Sequence, residues 1–99
     1  MAGCMTITLP EFKSKLFARD RMKVVDVREI SEYREGHVEG SVLIPLGELP
    51  HRLHEISPHE EVILVCRSGN RSSQACDILR QRGYTNVRSL TGGLSAWGA

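Results

Sequence analysis

Apolar residues along this chain fall in short runs that alternate with stretches of helical periodicity. Five runs predict strands, at residues 6–9, 22–27, 41–45, 61–66 and 86–90. Between them, helices are predicted from Pro10 onward and at residues 31–34, 46–56 and 72–83. The fourth run is apolar at successive positions, which indicates a central strand covered on both faces. This alternation predicts an open α/β fold with a mostly parallel five-stranded sheet and helices on both faces.

Length and charge restrict the architecture of the chain and its partners. Ninety-nine residues, of which 40% are hydrophobic, suit a single domain over residues 1–99. A net charge of +1 gives no overall attraction to nucleic acids or acidic membranes. No apolar run approaches the ~20 residues of a membrane helix, and the N-terminus lacks the pattern of a secretory signal. We therefore expect a cytoplasmic location, no nucleic-acid partner and no membrane segment within this chain.

The three cysteines, at positions 4, 66 and 76, include no CxxC pair and no Cys/His metal spacing. This pattern does not predict a disulfide framework, so we expect free thiols in a reducing compartment. Cys76 falls on the inward face of the last predicted helix, where core packing is favoured over a role as a resolving thiol. Cys4 precedes the first strand and has no predicted role. Cys66 differs from both, because a polar and doubly basic segment follows it directly.

The segment after Cys66 has the features of an anion-binding loop. Cys66 ends the central strand, residues 67–71 (RSGNR) follow, and a helix starts near Ser72, which can cap it. Gly69 permits a positive φ and Asn70 tolerates one, so successive backbone N–H groups can turn toward one point. The helix N-terminus and the two arginines favour negative charge at that point. We predict that the pKa of Cys66 lies well below the usual ~8.5 and that the loop can hold an anion beside the sulfur.

Four motifs along the chain resemble those of the rhodanese family of sulfurtransferases. They are VVDVRE with Glu32 and Tyr33, EGHVEGSVLIPL, VCRSGNRS and LTGGLSAW. The resemblance implies a single-domain rhodanese fold with a core at about residues 6–97. It also implies that Cys66 attacks the outer sulfur of thiosulfate or a similar donor, releases sulfite and keeps a persulfide. A thiol, cyanide or a partner protein in a sulfur relay then takes the sulfur, and neither a metal nor an organic cofactor is required.

The resemblance also suggests roles for the residues around the nucleophile Cys66. The predicted donor-binding residues are Arg67, Ser68, Gly69, Asn70, Arg71 and Ser72. Asp26 and Arg28 end a second strand, so they belong to the same edge of the sheet. We predict that Asp26 and Arg28 support the site structurally, because a carboxylate among valines at a strand end needs partners. We predict the same for His37, because this reaction needs little proton transfer. Glu32 is expected to pair with an arginine or to cap a turn.

Three other functions are compatible with parts of this pattern. Phosphatases and arsenate reductases of related architecture carry a C-x5-R loop, whereas four residues separate Cys66 from Arg71 here, and no general acid is evident beside the loop. A non-catalytic interaction domain of a larger protein is the second alternative, although such modules usually lose the cysteine. A metal site is the third, but a solvated helix surface is the favoured interpretation of His51, His54 and His59.

Overall fold

The computed structural model describes residues 4–97 and contains one five-stranded sheet. Its strands are β1 (Met5–Ile7), β2 (Lys23–Asp26), β3 (Val42–Leu43), β4 (Val62–Val65) and β5 (Val87–Leu90). Their order across the sheet is β1-β5-β4-β2-β3, and every neighbouring pair is parallel. The predicted α/β fold with a five-stranded sheet is therefore confirmed, and the sheet is fully parallel.

In the described part of the chain, three α-helices and two short 3-10 turns connect the strands, and a third 3-10 turn follows the last strand. The helices are α1 (Leu9–Phe17), α2 (Ile30–Glu35) and α3 (Asn70–Gln81), and the 3-10 turn after β5, called the C-terminal 3-10 turn, is Gly93–Ala96. Thr8 caps α1, because its side-chain oxygen accepts a hydrogen bond from the Glu11 N–H at 3.2 Å. None of the helices within residues 4–97 is long and apolar enough to cross a bilayer.

The helix predicted at residues 46–56 is instead two 3-10 turns, Leu46–His51 and Leu53–Glu55. Pro50 lies inside the first turn, and its missing N–H and its ring prevent a continuous α-helix. The apolar stripe nevertheless reaches the core, because Leu49 and Ile56 are both buried. The type of helix was therefore predicted wrongly, whereas its inward face was predicted correctly.

α3 begins two residues earlier than predicted. Gly69 precedes the helix with a φ of +100°, in the left-handed region, and Asn70 is already helical. The prediction that Ser72 caps the helix was therefore wrong, because glycine alone makes the sharp turn out of the loop. Ser72 instead lies in the first turn of α3 and is fully buried.

Helices cover both faces of the sheet, so the side chains of a strand alternate between two apolar clusters. Val62, Leu64 and Cys66 belong to the cluster that contains the inner face of α3. Ile63 and Val65 belong to the cluster that contains residues of α1. Every residue of β4 is buried. This two-sided burial explains why the central strand is apolar at successive positions.

Cys4 and Cys76 form a disulfide, with their Cα atoms 5.7 Å apart, and Cys66 is the free cysteine. Met5 pairs with Arg88 in the parallel ladder of β1 and β5, which brings Cys4 to the start of β5. The expectation of three free thiols was therefore wrong, because this pairing depends on sheet order and not on spacing along the sequence. The core position predicted for Cys76 is confirmed, since its side chain is fully buried.

Candidate active site

The ends of β2 and β4 bring candidate residues to one edge of the sheet. Asp26 pairs with Val65 in the parallel ladder, and the N–H of Val27 donates to the Val65 carbonyl at 3.0 Å. Cys66 follows Val65 directly and is fully buried, with an exposed fraction of 0%. The carboxyl ends of two neighbouring strands therefore meet at the cysteine, which is where open α/β sheets bind ligands.

Hydrogen-bond donors from the loop and from α3 surround the sulfur of Cys66. The N–H of Gly69 lies 3.0 Å from Sγ, and the N–H of Ser72 lies 3.3 Å from it. The hydroxyl oxygen of Ser72 is 3.4 Å from Sγ. Burial raises the pKa of Cys66, but hydrogen bonds from Ser72 and from the backbone of Gly69 and Ser68 outweigh burial and lower it overall. This arrangement favours a thiolate, in the direction that the sequence predicts.

Glu32 of α2 holds both arginines of the loop segment. Arg71 donates two hydrogen bonds to its carboxylate, at 2.7 and 2.9 Å, and the Arg67 Nε lies 3.5 Å from the same group. Hydrogen bonds from Arg71 and from the Glu29 backbone lower the pKa of Glu32 to about 2. The carboxylate therefore balances one of the two positive charges. We expected these arginines to lower the pKa of Cys66, whereas the groups that lower it most are hydrogen-bond donors.

The glycine pair of the last motif packs against the same loop. The N–H of Leu94 donates to the Cys66 carbonyl at 2.7 Å, and the N–H of Ser95 donates to the Arg67 carbonyl at 2.9 Å. Gly93 has a φ of +64°, and a Cβ atom there would lie 2.5 Å from the Cys66 carbonyl oxygen. This close approach requires glycine. The C-terminal 3-10 turn therefore fixes the carbonyl side of the loop, while N–H groups of the loop point at the sulfur.

Asp26 and Arg28 contact each other and the end of α2. The Arg28 guanidinium donates to both carboxylate oxygens of Asp26, and it also donates to the Gly36 carbonyl at 2.8 Å. His37 stacks on Tyr33 with 3.7 Å between ring centres, and its Nδ1 lies 2.8 Å from the Tyr33 carbonyl oxygen. Arg28 therefore joins the end of α2 to the end of β2, whereas His37 contacts Tyr33 of α2 itself. The supporting roles of Asp26, Arg28 and His37 stay predictions.

One residue that contacts Ser72 was not predicted from the sequence. Ser89 of β5 is buried, and its hydroxyl oxygen lies 2.6 Å from that of Ser72. The available signal was a serine at an inward position of the buried strand VRSL. Among the predicted donor-binding residues, Arg67, Ser68 and Asn70 are exposed, whereas Ser72 is buried against the sulfur.

The described residues show no metal-binding cluster, and two surface cavities lie away from the loop. No three His, Cys, Asp or Glu side chains within residues 4–97 are arranged to hold a metal ion. Two surface cavities of about 310 and 590 Å³ lie beside α1, and no loop residue lines either of them. Arg67 and Ser68, which directly follow the buried Cys66, are exposed.

Comparison with known proteins gives the family of the chain. Residues 8–99 match the model of the rhodanese-like domain. The chain belongs to the rhodanese-like family. This membership confirms the resemblance carried by the four sequence motifs, one of which, VCRSGNRS, contains the loop that follows β4.

Relatives of this rhodanese-like chain include proteins named for sulfur transfer and sulfur transport. The thiosulfate:glutathione sulfurtransferase of Homo sapiens is 32% identical over 112 residues, which cover 98% of this chain and 96% of the relative. The putative sulfur carrier protein YrkF of Bacillus subtilis is 36% identical over 91 residues, 92% of this chain. The chain spans about half the length of YrkF, since the match covers 49% of that protein.

A solved structure has the same fold. The human single-domain sulfurtransferase TSTD1 superposes with a TM-score of 0.82 at 30% identity, and 96% of each chain is covered. The rhodanese fold therefore extends over nearly the whole chain. Rhodanese-like sulfur transfer is the class of activity that these relatives support.

Proposed function

We propose that this rhodanese-like chain is a sulfurtransferase that carries a sulfane sulfur as a persulfide on Cys66. The observation that carries the proposal is the set of polar groups around the Cys66 sulfur, namely the N–H donors of Gly69 and Ser72, with the Ser72 hydroxyl oxygen 3.4 Å from the sulfur. Such donors stabilise a thiolate before the reaction and can stabilise the anionic persulfide after it. Relatives named as a sulfurtransferase and a sulfur carrier support the same reaction class.

In the proposed reaction, the Cys66 thiolate attacks the outer sulfur of thiosulfate or a similar donor. A sulfur–sulfur bond forms to Cys66, the sulfur–sulfur bond of the donor breaks, and sulfite leaves with the electron pair. An acceptor such as cyanide or a thiol then attacks the outer sulfur and returns Cys66 as a thiolate. With an ionised nucleophile and an anionic leaving group, neither a metal nor an organic cofactor has to move a proton or an electron.

The proposal assigns different tasks to the two arginines. The side chain of Arg67 is 64% exposed and only loosely tied to Glu32, so it is available to attract the sulfonate end of the donor. Arg71 is committed to a bidentate pair with Glu32, so its main task is to hold α2 against α3. Because Cys66 is fully buried, the residues around it have to move before a donor can reach the sulfur.

The acceptor and the cellular location are further parts of the proposal. A small thiol acceptor is supported by the relative named thiosulfate:glutathione sulfurtransferase, and a protein acceptor in a sulfur relay is supported by the putative sulfur carrier. We keep a cytoplasmic location as a proposal. The Cys4–Cys76 disulfide counts against it, because a reducing cytoplasm keeps most thiols free.

The test is thiocyanate formation from thiosulfate and cyanide. The unmodified chain should turn over, and Cys66→Ser should fall to the uncatalysed rate while keeping its unfolding midpoint in urea. Cys4→Ser is the control, because it removes a cysteine remote from the loop and should retain turnover. Full activity in Cys66→Ser would contradict the proposal. Hydrolysis of an aryl phosphate without thiocyanate formation would contradict it as well and would favour the phosphatase alternative.

A further inference from the structure

Ser89 links the buried strand β5 to the hydroxyl beside the candidate nucleophile. Side chains alternate along a strand, so Ser89 faces α3 together with Val87. Ser89 has an exposed fraction of 3%, and its Oγ lies 2.6 Å from the Oγ of Ser72. Ser72 is fully buried, and its Oγ lies 3.4 Å from the sulfur of Cys66. The buried side chains of Ser89 and Ser72 therefore connect β5 to the Cys66 sulfur.

The number of hydroxyl protons decides the direction of these hydrogen bonds. Within residues 4–97, the Ser72 hydroxyl is the one hydrogen-bond partner of the Ser89 hydroxyl. If Ser72 donated to Ser89, the Ser89 proton would be buried without an acceptor, which is unfavourable. If Ser89 donates to Ser72, both protons are used, because Ser72 has other acceptors within reach. The favoured direction therefore runs from Ser89 to Ser72.

The Ser72 proton has two acceptors within reach, the Cys66 sulfur at 3.4 Å and the Gly69 carbonyl at 3.2 Å. When Cys66 is a thiol, its S–H donates to Ser72 and the Ser72 hydroxyl donates to Gly69. When Cys66 is a thiolate, the Ser72 hydroxyl turns to the sulfur, because a charged acceptor forms the stronger bond. The Gly69 carbonyl keeps a partner, since the Ser73 N–H donates to it at 3.1 Å. In both states Ser89 can keep donating to Ser72.

We propose that Ser89 is a positioning residue, which holds the Ser72 hydroxyl so that its proton is directed to the Cys66 sulfur when that sulfur is negatively charged. A hydroxyl that accepts a hydrogen bond donates its own proton more strongly. This gain in hydrogen-bond strength is larger when the acceptor is charged than when it is a thiol, so Ser89 favours the thiolate form of Cys66. Ser89 acts through Ser72 and does not touch the sulfur. The inference rests on the proposed function, in which the Cys66 thiolate is the nucleophile.

Substitution of Ser89 leaves the charges around the sulfur in place. The charged residues near the loop come from the loop itself, α2, α3 and the end of β2, and they are Arg67, Glu32, Arg71, Asp26 and Arg28. They form ion pairs with one another, and none of these pairs involves Ser89. A change in thiolate stability on substitution of Ser89 therefore reports the loss of its hydroxyl.

The test is a pH titration of the Cys66 thiolate by its ultraviolet absorbance. With Cys4 and Cys76 joined in a disulfide, Cys66 is the cysteine that titrates. Ser89→Ala should raise the pKa of Cys66 by about 0.3–1 unit, which means roughly two- to tenfold less thiolate below the pKa. Ser89→Thr keeps a hydroxyl, so its Cys66 pKa should stay closer to that of the unmodified chain than the Cys66 pKa of Ser89→Val. Valine has nearly the same shape as threonine but no hydroxyl.

A buried serine elsewhere in the fold provides the matched control. The Ser41 hydroxyl donates to the Val38 carbonyl at 2.6 Å, away from the sulfur. Ser41→Ala should therefore leave the pKa of Cys66 unchanged, and equal shifts in Ser41→Ala and Ser89→Ala would overturn the proposal by assigning the effect to general loosening. An unchanged pKa in Ser89→Ala would overturn it. A lowered pKa would overturn it too, because it would mean that Ser72 donates to Ser89.

The titration contains no sulfur donor, so its failure can be separated from failure of the proposed function. An unshifted pKa together with normal thiocyanate formation would reject the role of Ser89 and leave sulfur transfer standing. A shifted pKa without any thiocyanate formation would support the hydrogen-bond chain and reject the sulfurtransferase proposal. Urea unfolding of each variant shows that the titrated protein is folded, and the Thr and Val pair still decides the question if Ser89→Ala does not fold.

Discussion

Gly93→Ala should destabilise the chain and displace the loop that carries Cys66. Gly93 has a φ of +64°, a left-handed conformation that costs alanine about 1–2 kcal/mol. In addition, the new Cβ would lie 2.5 Å from the Cys66 carbonyl oxygen and closer still to that of Arg67. The two backbone segments have to separate to relieve this overlap. Their separation weakens the hydrogen bonds that the Leu94 and Ser95 N–H groups donate to those carbonyls.

The size of the effect follows from the backbone conformation and from these two hydrogen bonds. Each bond contributes about 0.5–1.5 kcal/mol net, so Gly93→Ala should lower the free energy of unfolding by about 2–5 kcal/mol. Gly92→Ala is the matched control, because Gly92 has a φ of +74° but nothing lies within 4 Å of its added Cβ. That variant should lose only the conformational contribution of about 1–2 kcal/mol. Urea denaturation followed by circular dichroism measures both losses.

A second measurement reports on the loop itself. In Gly93→Ala the N–H donors move with the displaced backbone, so the pKa of Cys66 should rise, whereas Gly92→Ala should leave it unchanged. Equal losses of unfolding free energy in the two variants, with equal pKa values for Cys66, would refute the reasoning. Such a result would mean that the positive φ of Gly93 matters and its close approach to the loop does not.

Three further predictions concern Glu32, the Cys4–Cys76 disulfide and Arg67. The pKa of Glu32, lowered from 4.5 to about 2, means that its ion pair adds stability above pH 4.5 and loses it as the pH falls toward 2. Glu32→Gln should therefore lower the unfolding free energy by roughly 1–2 kcal/mol at pH 7 and by much less at pH 2, which acid and neutral urea melts compare. Dithiothreitol should destabilise the chain by about 4 kcal/mol, since the Cys4–Cys76 disulfide spans 72 residues. Urea melts of Cys4→Ser should be insensitive to the reductant, and sensitivity there would contradict the assignment. Arg67→Ala should raise the KM for thiosulfate by about three- to tenfold with a smaller change in kcat, and the effect should shrink at high salt. A loss confined to kcat would argue against donor attraction by Arg67.

Most of the fold could be predicted because its signals are local. The apolar runs mark β1 to β5, and the buried run of β4 marks the centre of the sheet. The loop after Cys66 was also visible, because a glycine between a strand and a helix favours a left-handed turn, as occurs at Gly69. The 3-10 turns at residues 46–56 were missed, since periodicity alone does not show that Pro50 interrupts the helix.

The contacts that could not be predicted join residues far apart in the sequence. The disulfide links Cys4 to a cysteine 72 positions later. An arginine partner was expected for Glu32, but the sequence did not show that it would be Arg71, 39 positions later. Ser72 meets Ser89 across 17 residues. Each of these pairs depends on the order of the strands, which places β5 between β1 and β4 and places β2 beside β4. Apolar periodicity identifies which face of an element is buried, but it does not identify the element that covers that face.

The central claim is that Cys66 accepts a sulfur atom from an anionic donor, and intact-protein mass measures this most directly. After incubation with thiosulfate and removal of excess donor, the unmodified chain should gain the mass of one sulfur atom. Cyanide should remove that mass, and Cys66→Ser should never acquire it. A mass gain that persists in Cys66→Ser, or no gain in the unmodified chain with thiosulfate or with any other persulfide donor, would contradict the account.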